Sequence, residues 1–255
     1  MQLTRFVDRL DERLRTDAYA PIDASANGLQ VGPENTELDH VAFAVDAAVE
    51  TIEAAVGAGA GAMVVHHGLS WGGFERVTDT HYRRLKPLFE HDIALYVSHL
   101  PLDGHPDLGN AAGVGDVIGL TDRSPFGDVD GEYIGQRGRL DPATPVEDVA
   151  SQLEAELDTG GRSPQVFPFG PDQLEEVAIV TGSGADFLDQ ATTEGADALL
   201  TGEGKQQLYH EAKEANVSVI LAGHYATETF GVRSLQGLAD EWGLETTFID
   251  RPTRL

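Results

Sequence analysis

Apolar positions along this chain follow two alternating rhythms. At the N-terminus, MQLTRFVDRLDERL spaces Leu3, Phe6, Val7, Leu10 and Leu14 three or four apart, which predicts an amphipathic helix with one buried face. Further on, short unbroken apolar runs appear: VAFAV (41–45), AMVV (62–65), ALYV (94–97) and VSVIL (217–221). Runs of that length, separated by stretches of helical period and stopped by Gly-Ala or Gly, predict strands buried on both faces and joined by helices. The pattern is that of βαβ units, hence an α/β protein.

The pattern occurs twice. Residues 41–68 and 177–204 align without a gap and share seven of 28 residues, including the pairs Gly59/Gly195, Ala60/Ala196 and Gly68/Gly204. Identity concentrated at the turn and strand-stop positions points to a shared unit: strand, helix of about 12 residues, Gly-Ala stop, second strand. A further helix is expected near 80–91 in the first copy and near 205–215 in the second. Each leads to another gapless pair, DIALYVSHLPLD (92–103) over VSVILAGHYATE (217–228). The expected fold is therefore two related α/β domains, each a mainly parallel sheet flanked by helices. The turn-rich segment TDRSPFGDVDG (121–131) places the boundary so that the domains are 1–124 and 125–255. The second then opens with a strand (EYIGQRGRL) and a helix (VEDVASQLEAEL).

Charge changes the picture next. The chain has 43 acidic and 17 basic residues, a net charge of -26, and its only lysines are Lys86, Lys205 and Lys213. So acidic and lysine-poor a surface fits a protein that stays hydrated in concentrated salt, where repulsion is screened within a few Å. It excludes nucleic acid as a partner, since phosphate contacts need clusters of Lys or Arg. There is no apolar signal core and no run near the ~20 apolar residues of a membrane span, so a soluble, cytoplasmic protein without a membrane partner is expected. Cysteine is absent, so any metal must be held by nitrogen and oxygen.

Candidates for such ligation stand at the strand ends. In the second gapless pair His99 falls on His224 and Asp103 on Glu228, a histidine followed four residues later by a carboxylate. Imidazole and carboxylate together suit zinc, iron, manganese or nickel. His66-His67-Gly68 ends another apolar run. Neighbouring strand residues face opposite ways, so both rings reach one place only if the strand ends there. After His224 the sequence reads as a helix start, with Thr227 as a cap and Glu228 in the first turn. Asp103 lies in a loop by its flanking LPLDGHPD. His99 fits either a ligand or a group that moves protons to a substrate. Glu203 takes the place of His67 in the second copy, so one asymmetric centre is expected. TGSGAD (181–186) reads as a strand–helix turn. Lys205 and His210 are candidates to line a cleft, and His40, His81, His91 and His105 lack any partner pattern.

These motifs carry a family resemblance. NGLQVG (27–32), VVHHG (64–68), SHLPLD (98–103), GN (109–110), GSGAD (182–186), TGEG (201–204) and GHYATE (223–228) resemble the Nif-three-like dinuclear metal-centre proteins, often given as GTP cyclohydrolase I type 2 homologues. The resemblance implies two similar α/β domains with a two-metal site at their interface. It implies His66, His67, Asp103, His224 and Glu228 as ligands of two divalent ions (Fe, Zn or Mn), with His99 just outside them. It also implies a ring-shaped homohexamer built as a trimer of dimers, and the short form of the family without an inserted domain. Two functions compete: a metal-dependent hydrolase acting on a nucleotide, C–N or phosphoester substrate, and a non-catalytic protein that delivers metal or scaffolds a partner. The charge yields a direct expectation. Diluting salt should loosen the assembly, because unscreened like charges oppose subunit contact, and light scattering across a salt series reads this; an oligomer unchanged at low salt contradicts it.

Overall fold

The computed structural model describes residues 1–33 and 36–255. The chain divides into two compact units, Met1–Leu102 with Gly231–Arg251, and Asp103–Phe230 with Pro252–Leu255. In chain order the strands are β1 (Gly28–Val31), β2 (His40–Asp46), β3 (Ala62–His67), β4 (Ala94–Val97), β5 (Thr121–Val129), β6 (Glu132–Pro145), β7 (Gln165–Phe167), β8 (Gln173–Ile179), β9 (Ala198–Thr201), β10 (Ser218–Leu221) and β11 (Glu245–Phe248). The segment 121–131, expected to separate two domains, is instead a strand and a turn: β5 pairs antiparallel with β6 and lies wholly in the second unit. The change of unit occurs at Leu102/Asp103, inside the short helix Leu100–Asp103, and the chain returns to the first unit within the helix Thr229–Glu241. Asp103 thus belongs to the second unit rather than the first.

The first unit holds a five-stranded sheet in the order β1-β4-β3-β2-β11, with three of its four pairings parallel and β1 antiparallel at one edge. The alternation along its strands sorts side chains by face. Ala42, Ala44, Met63, Val65, Leu95 and Val97 pack with Ile52, Ala55, Leu85 and Leu88 of the helices Val49–Gly57 and Asp79–Glu90. The opposite face carries Tyr96, whose hydroxyl donates to Asp11 Oδ1 at 2.8 Å and lies 3.4 Å from Thr16 Oγ1. Asp11 sits on the N-terminal helix Leu3–Leu14, which buries Leu3, Phe6, Leu10 and Leu14 as its spacing predicts.

The second unit holds a six-stranded sheet, β5-β6-β8-β9-β10-β7. Its centre, β8-β9-β10, is parallel, while β5, β6 and β7 are attached antiparallel. Val177, Ile179, Leu200 and Ile220 form its core with Val149 and Leu153 of the helix Val146–Glu156. The internal repeat survives in the hydrogen-bond register. Val41 stands opposite Ala62 and Val177 opposite Ala198, the same two alignment positions in each copy. In both units the parallel strands end at one edge, and the candidate ligands follow those ends, the usual place for ligands in open α/β sheets.

Tyr96 offers a check on the first unit. Burial pushes its hydroxyl pKa well up, the charge of Asp11 adds to this, and the group stays a donor. Tyr96→Phe should destabilise that unit by about 1.5–3 kcal/mol, the net worth of a hydrogen bond to a charged acceptor. Chemical denaturation followed by circular dichroism measures it.

Candidate metal centre

Three imidazoles converge in the first unit. His66, His67 and His99 each offer a ring nitrogen, and these nitrogens lie within 4.8 Å of one another. The ring centroids are 4.7 Å apart for His66 and His67, 5.1 Å for His66 and His99, and 5.7 Å for His67 and His99. Strand geometry turns the adjacent pair apart, and β3 lies between β2 and β4, so each ring finds a neighbour on its own side. His66 Nδ1 lies 2.8 Å from the Ser98 carbonyl, just past β4, and His67 Nδ1 lies 2.9 Å from Asp46 Oδ1, at the end of β2. His99 Nδ1 lies 2.9 and 3.1 Å from the two oxygens of Asp23.

Carbonyl and carboxylate oxygens only accept, so in all three rings Nδ1–H is the donor and Nε2 is the nitrogen with a lone pair to offer. Oxygen-held Nδ1 is the arrangement that fixes tautomer and orientation in metal-binding histidines. Further bonds support it. Asn27 donates to Asp23 Oδ2 at 2.8 Å and accepts the His99 backbone N–H at 2.8 Å. Burial pulls the Asp23 carboxyl pKa up, but His99, Asn27 and the Ser25 N–H together hold it below the usual carboxylate range. Gln30 accepts the backbone N–H groups of Leu69 and Ser70 at 2.9 and 3.3 Å, tying down the turn after the histidine pair. The NGLQVG motif is thus a brace for the histidines. Trp71, half exposed, stands edge to face with His99 at 4.9 Å.

The second unit holds a cluster of its own, of carboxylates and one histidine. Asp103 is buried and accepts from Asn110 Nδ2 at 2.8 Å and Thr181 Oγ1 at 3.2 Å, both on Oδ1. It ends the helical turn Leu100–Asp103 rather than lying in a loop. Asp103 and Glu228 bring oxygens within 4.8 Å of each other. The helical turn begins at His224 itself, and Thr227 is no cap: its hydroxyl donates back to the Gly223 carbonyl at 2.9 Å and accepts from Gly182 N–H at 3.2 Å. The four-residue spacing does bring His224 and Glu228 together, Nε2 to Oε2 at 3.2 Å, while Nδ1 faces Glu203 Oε1 at 3.3 Å. Burial acts to lower the His224 pKa. The bonds and charges of Glu228 and Glu203 outweigh it and raise the value to about 9. Glu203 is also bonded by Ser183, the main cause of its lowered pKa. The TGSGAD turn is a cradle: Gly182 has φ +59°, and a Cβ there would lie 2.1 Å from Glu228 Oε1 and 3.2 Å from His224 Nε2. A Cβ on Gly202 would lie 2.7 Å from both the Gly182 carbonyl oxygen and His224 Cα. The His224 backbone N–H donates to the Leu255 carbonyl at 2.7 Å.

Of the residues singled out from the sequence, His66, His67 and His99 come together in one unit, and Asp103, His224 and Glu228 in the other. Lys205 pairs with Asp186. His210 is exposed, and His40 is bonded to Thr247 at 2.9 Å. Sequence reading passed over Asp23 and Asp46, and it quoted Asn27, Asn110 and Thr181 only inside motifs, without the roles they have here. Asp46 alone left a trace, as a carboxylate ending the strand beside that of the histidine pair. The donor set, imidazole nitrogens and carboxylate oxygens with oriented partners, fits a divalent metal.

The model of the family Duf34/NIF3 (NGG1p interacting factor 3) matches residues 1–254. The chain belongs to this family. A Halobacterium salinarum protein named GTP cyclohydrolase 1 type 2 homolog is 55% identical to it over the full length of both chains. An Archaeoglobus fulgidus protein of the same name is 40% identical, again over all of both. A solved structure from Thermus thermophilus superposes with a TM-score of 0.90 at 38% identity, covering both chains fully. Among the described residues no helix is long and apolar enough to cross a membrane.

The His224 environment sets a pH expectation. Its folded pKa of about 9 stands above the ordinary 6.5, so its stabilising contribution in the metal-free protein is complete below pH 6.5 and is lost as pH rises through about 9. An ion at its Nε2 must displace a proton below that value, so metal affinity should rise with pH up to about 9. Calorimetric metal titrations in buffers of different ionisation enthalpy should show the proton released; no release at pH 7 contradicts the assignment.

Proposed function

We propose that this chain is a dinuclear metal protein that acts as a metal-dependent hydrolase, with His66, His67, Asp103, His224 and Glu228 holding two divalent ions. The observation that carries the reading is the shared lock on the three imidazoles: each Nδ1 is bonded to an oxygen, so each Nε2 is presented as a ligand nitrogen. The buried carboxylates of Asp103 and Glu228 supply the negative oxygens that such ions require. Iron, zinc and manganese all suit this set.

Bound ions would supply Lewis acidity and acidify water near neutral pH. The residues do the rest. His99 is held by Asp23 as a base is held by its orienting carboxylate, which fixes the tautomer and the direction of Nε2. Asn110 and Thr181 fix Asp103, and Gly182 leaves room for Glu228. The names of the relatives point to a nucleotide, and a C–N or phosphoester bond is the class of target. A homohexamer and a salt-rich cytoplasm complete the reading; the charge of -26 and the Halobacterium relative support the second.

Elemental analysis of gently purified protein should give two ions per chain, and less than one per chain contradicts the reading. Glu228→Ala should remove at least one of them. A hydrolase screen in molar salt then tests the chemistry. Metal-loaded protein without activity on any nucleotide, amide or phosphoester would reduce the function to metal binding alone.

A further inference from the structure

The second unit contains a cavity of about 630 Å³ that the metal reading does not use. Its volume falls in the range of small-molecule sites. Arg162, Arg254 and Lys205 line it, three cations in a chain where acids outnumber bases 43 to 17. Lys205 is paired with Asp186. Neither Arg162 nor Arg254 has an ion-pair or hydrogen-bond partner among the described residues. Two uncommitted guanidiniums facing one cavity are matched to a planar or tetrahedral oxyanion, which each can grip through paired N–H groups.

Opposite charge facing the cavity comes from Glu203, which is already engaged by Ser183 and His224. The wall also carries an aromatic pair. Tyr209 is exposed, and its ring stands edge to face with Phe167 at 5.3 Å. A flat ring resting on Tyr209 would place its anionic end toward the arginines.

We propose that this cavity binds a phosphate-bearing small molecule with an aromatic ring, the phosphate on Arg162 and Arg254 and the ring against Tyr209. The inference stands apart from the metal reading, because every lining residue belongs to the second unit. It also has a consequence for that unit: Glu203 lines the cavity and bonds His224, so an occupant is one residue removed from a candidate ligand.

The test is calorimetric titration of the full chain in molar potassium chloride, metal-loaded and after chelation, with adenosine monophosphate, adenosine and inorganic phosphate. The nucleotide should bind more tightly than adenosine or phosphate alone. Arg162→Gln combined with Arg254→Gln should weaken it by about tenfold or more, since charged hydrogen bonds are lost. Tyr209→Ala should weaken the nucleotide and leave inorganic phosphate unchanged. Unaltered melting temperature and metal content establish that the variants fold. The proposal is overturned if no nucleotide binding is measured, if the arginine variant binds as the wild type does, or if the nucleotide binds only to the metal-loaded protein irrespective of the arginines. That last result would place it on the metals and leave the hydrolase reading intact.

Discussion

In the first unit the three converging imidazoles depend on a bond one step behind the candidate ligand atom. An imidazole on a strand end has two nitrogens and a rotatable ring, and it presents Nε2 dependably only when Nδ1 is engaged. Here the engagement is with three different acceptors: a backbone carbonyl for His66, the carboxylate of the neighbouring strand for His67, and a buried carboxylate for His99. The parallel register makes this possible. Asp46 and His67 are partners across β2 and β3, so their side chains leave the sheet at the same edge. A slip of one residue would send every side chain of that strand to the other face. The extended runs of Val, Ala and Leu that build the sheet are therefore what keeps the histidines in place.

The units divide the chemistry unequally. The first offers neutral nitrogen, the second buried carboxylates and a histidine set between two of them. Buried carboxylates are costly without partners, and Asp103 is steadied by neutral donors, Asn110 and Thr181. His224 is steadied by charge.

Much of this is legible in the order of residues alone. Period and length mark out the strands and helices, and the gapless repeat foretells a register that both sheets obey. The ligand candidates stand out because histidine and acid at strand ends are few and patterned. The unit boundary is not legible. Its signal, turn-forming residues at 121–131, is also what an antiparallel edge strand and its turn contain, and β5 is such a strand. The bracing residues escape notice for a different reason. Asp23 and Asn27 act on His99 across more than 70 positions of sequence, and so does Thr181 on Asp103. No local spacing records such partnerships. The expected cap at Thr227 fails because a neighbouring backbone claims its hydroxyl.

The repeat has a history written into its packing. In the first copy the histidine pair follows the strand, while the equivalent positions of the second hold Gly202 and Glu203. If the copies descend from one ancestor, the second has passed a point of no return. The His224 backbone and the Gly182 carbonyl now occupy the space that any side chain at 202 would need. A single change restoring histidine there would meet main chain on two sides, and relieving it would mean displacing His224 itself. The two copies therefore differ in their backbone packing as well as in their side chains, and histidine at this position would require the main chain around it to move.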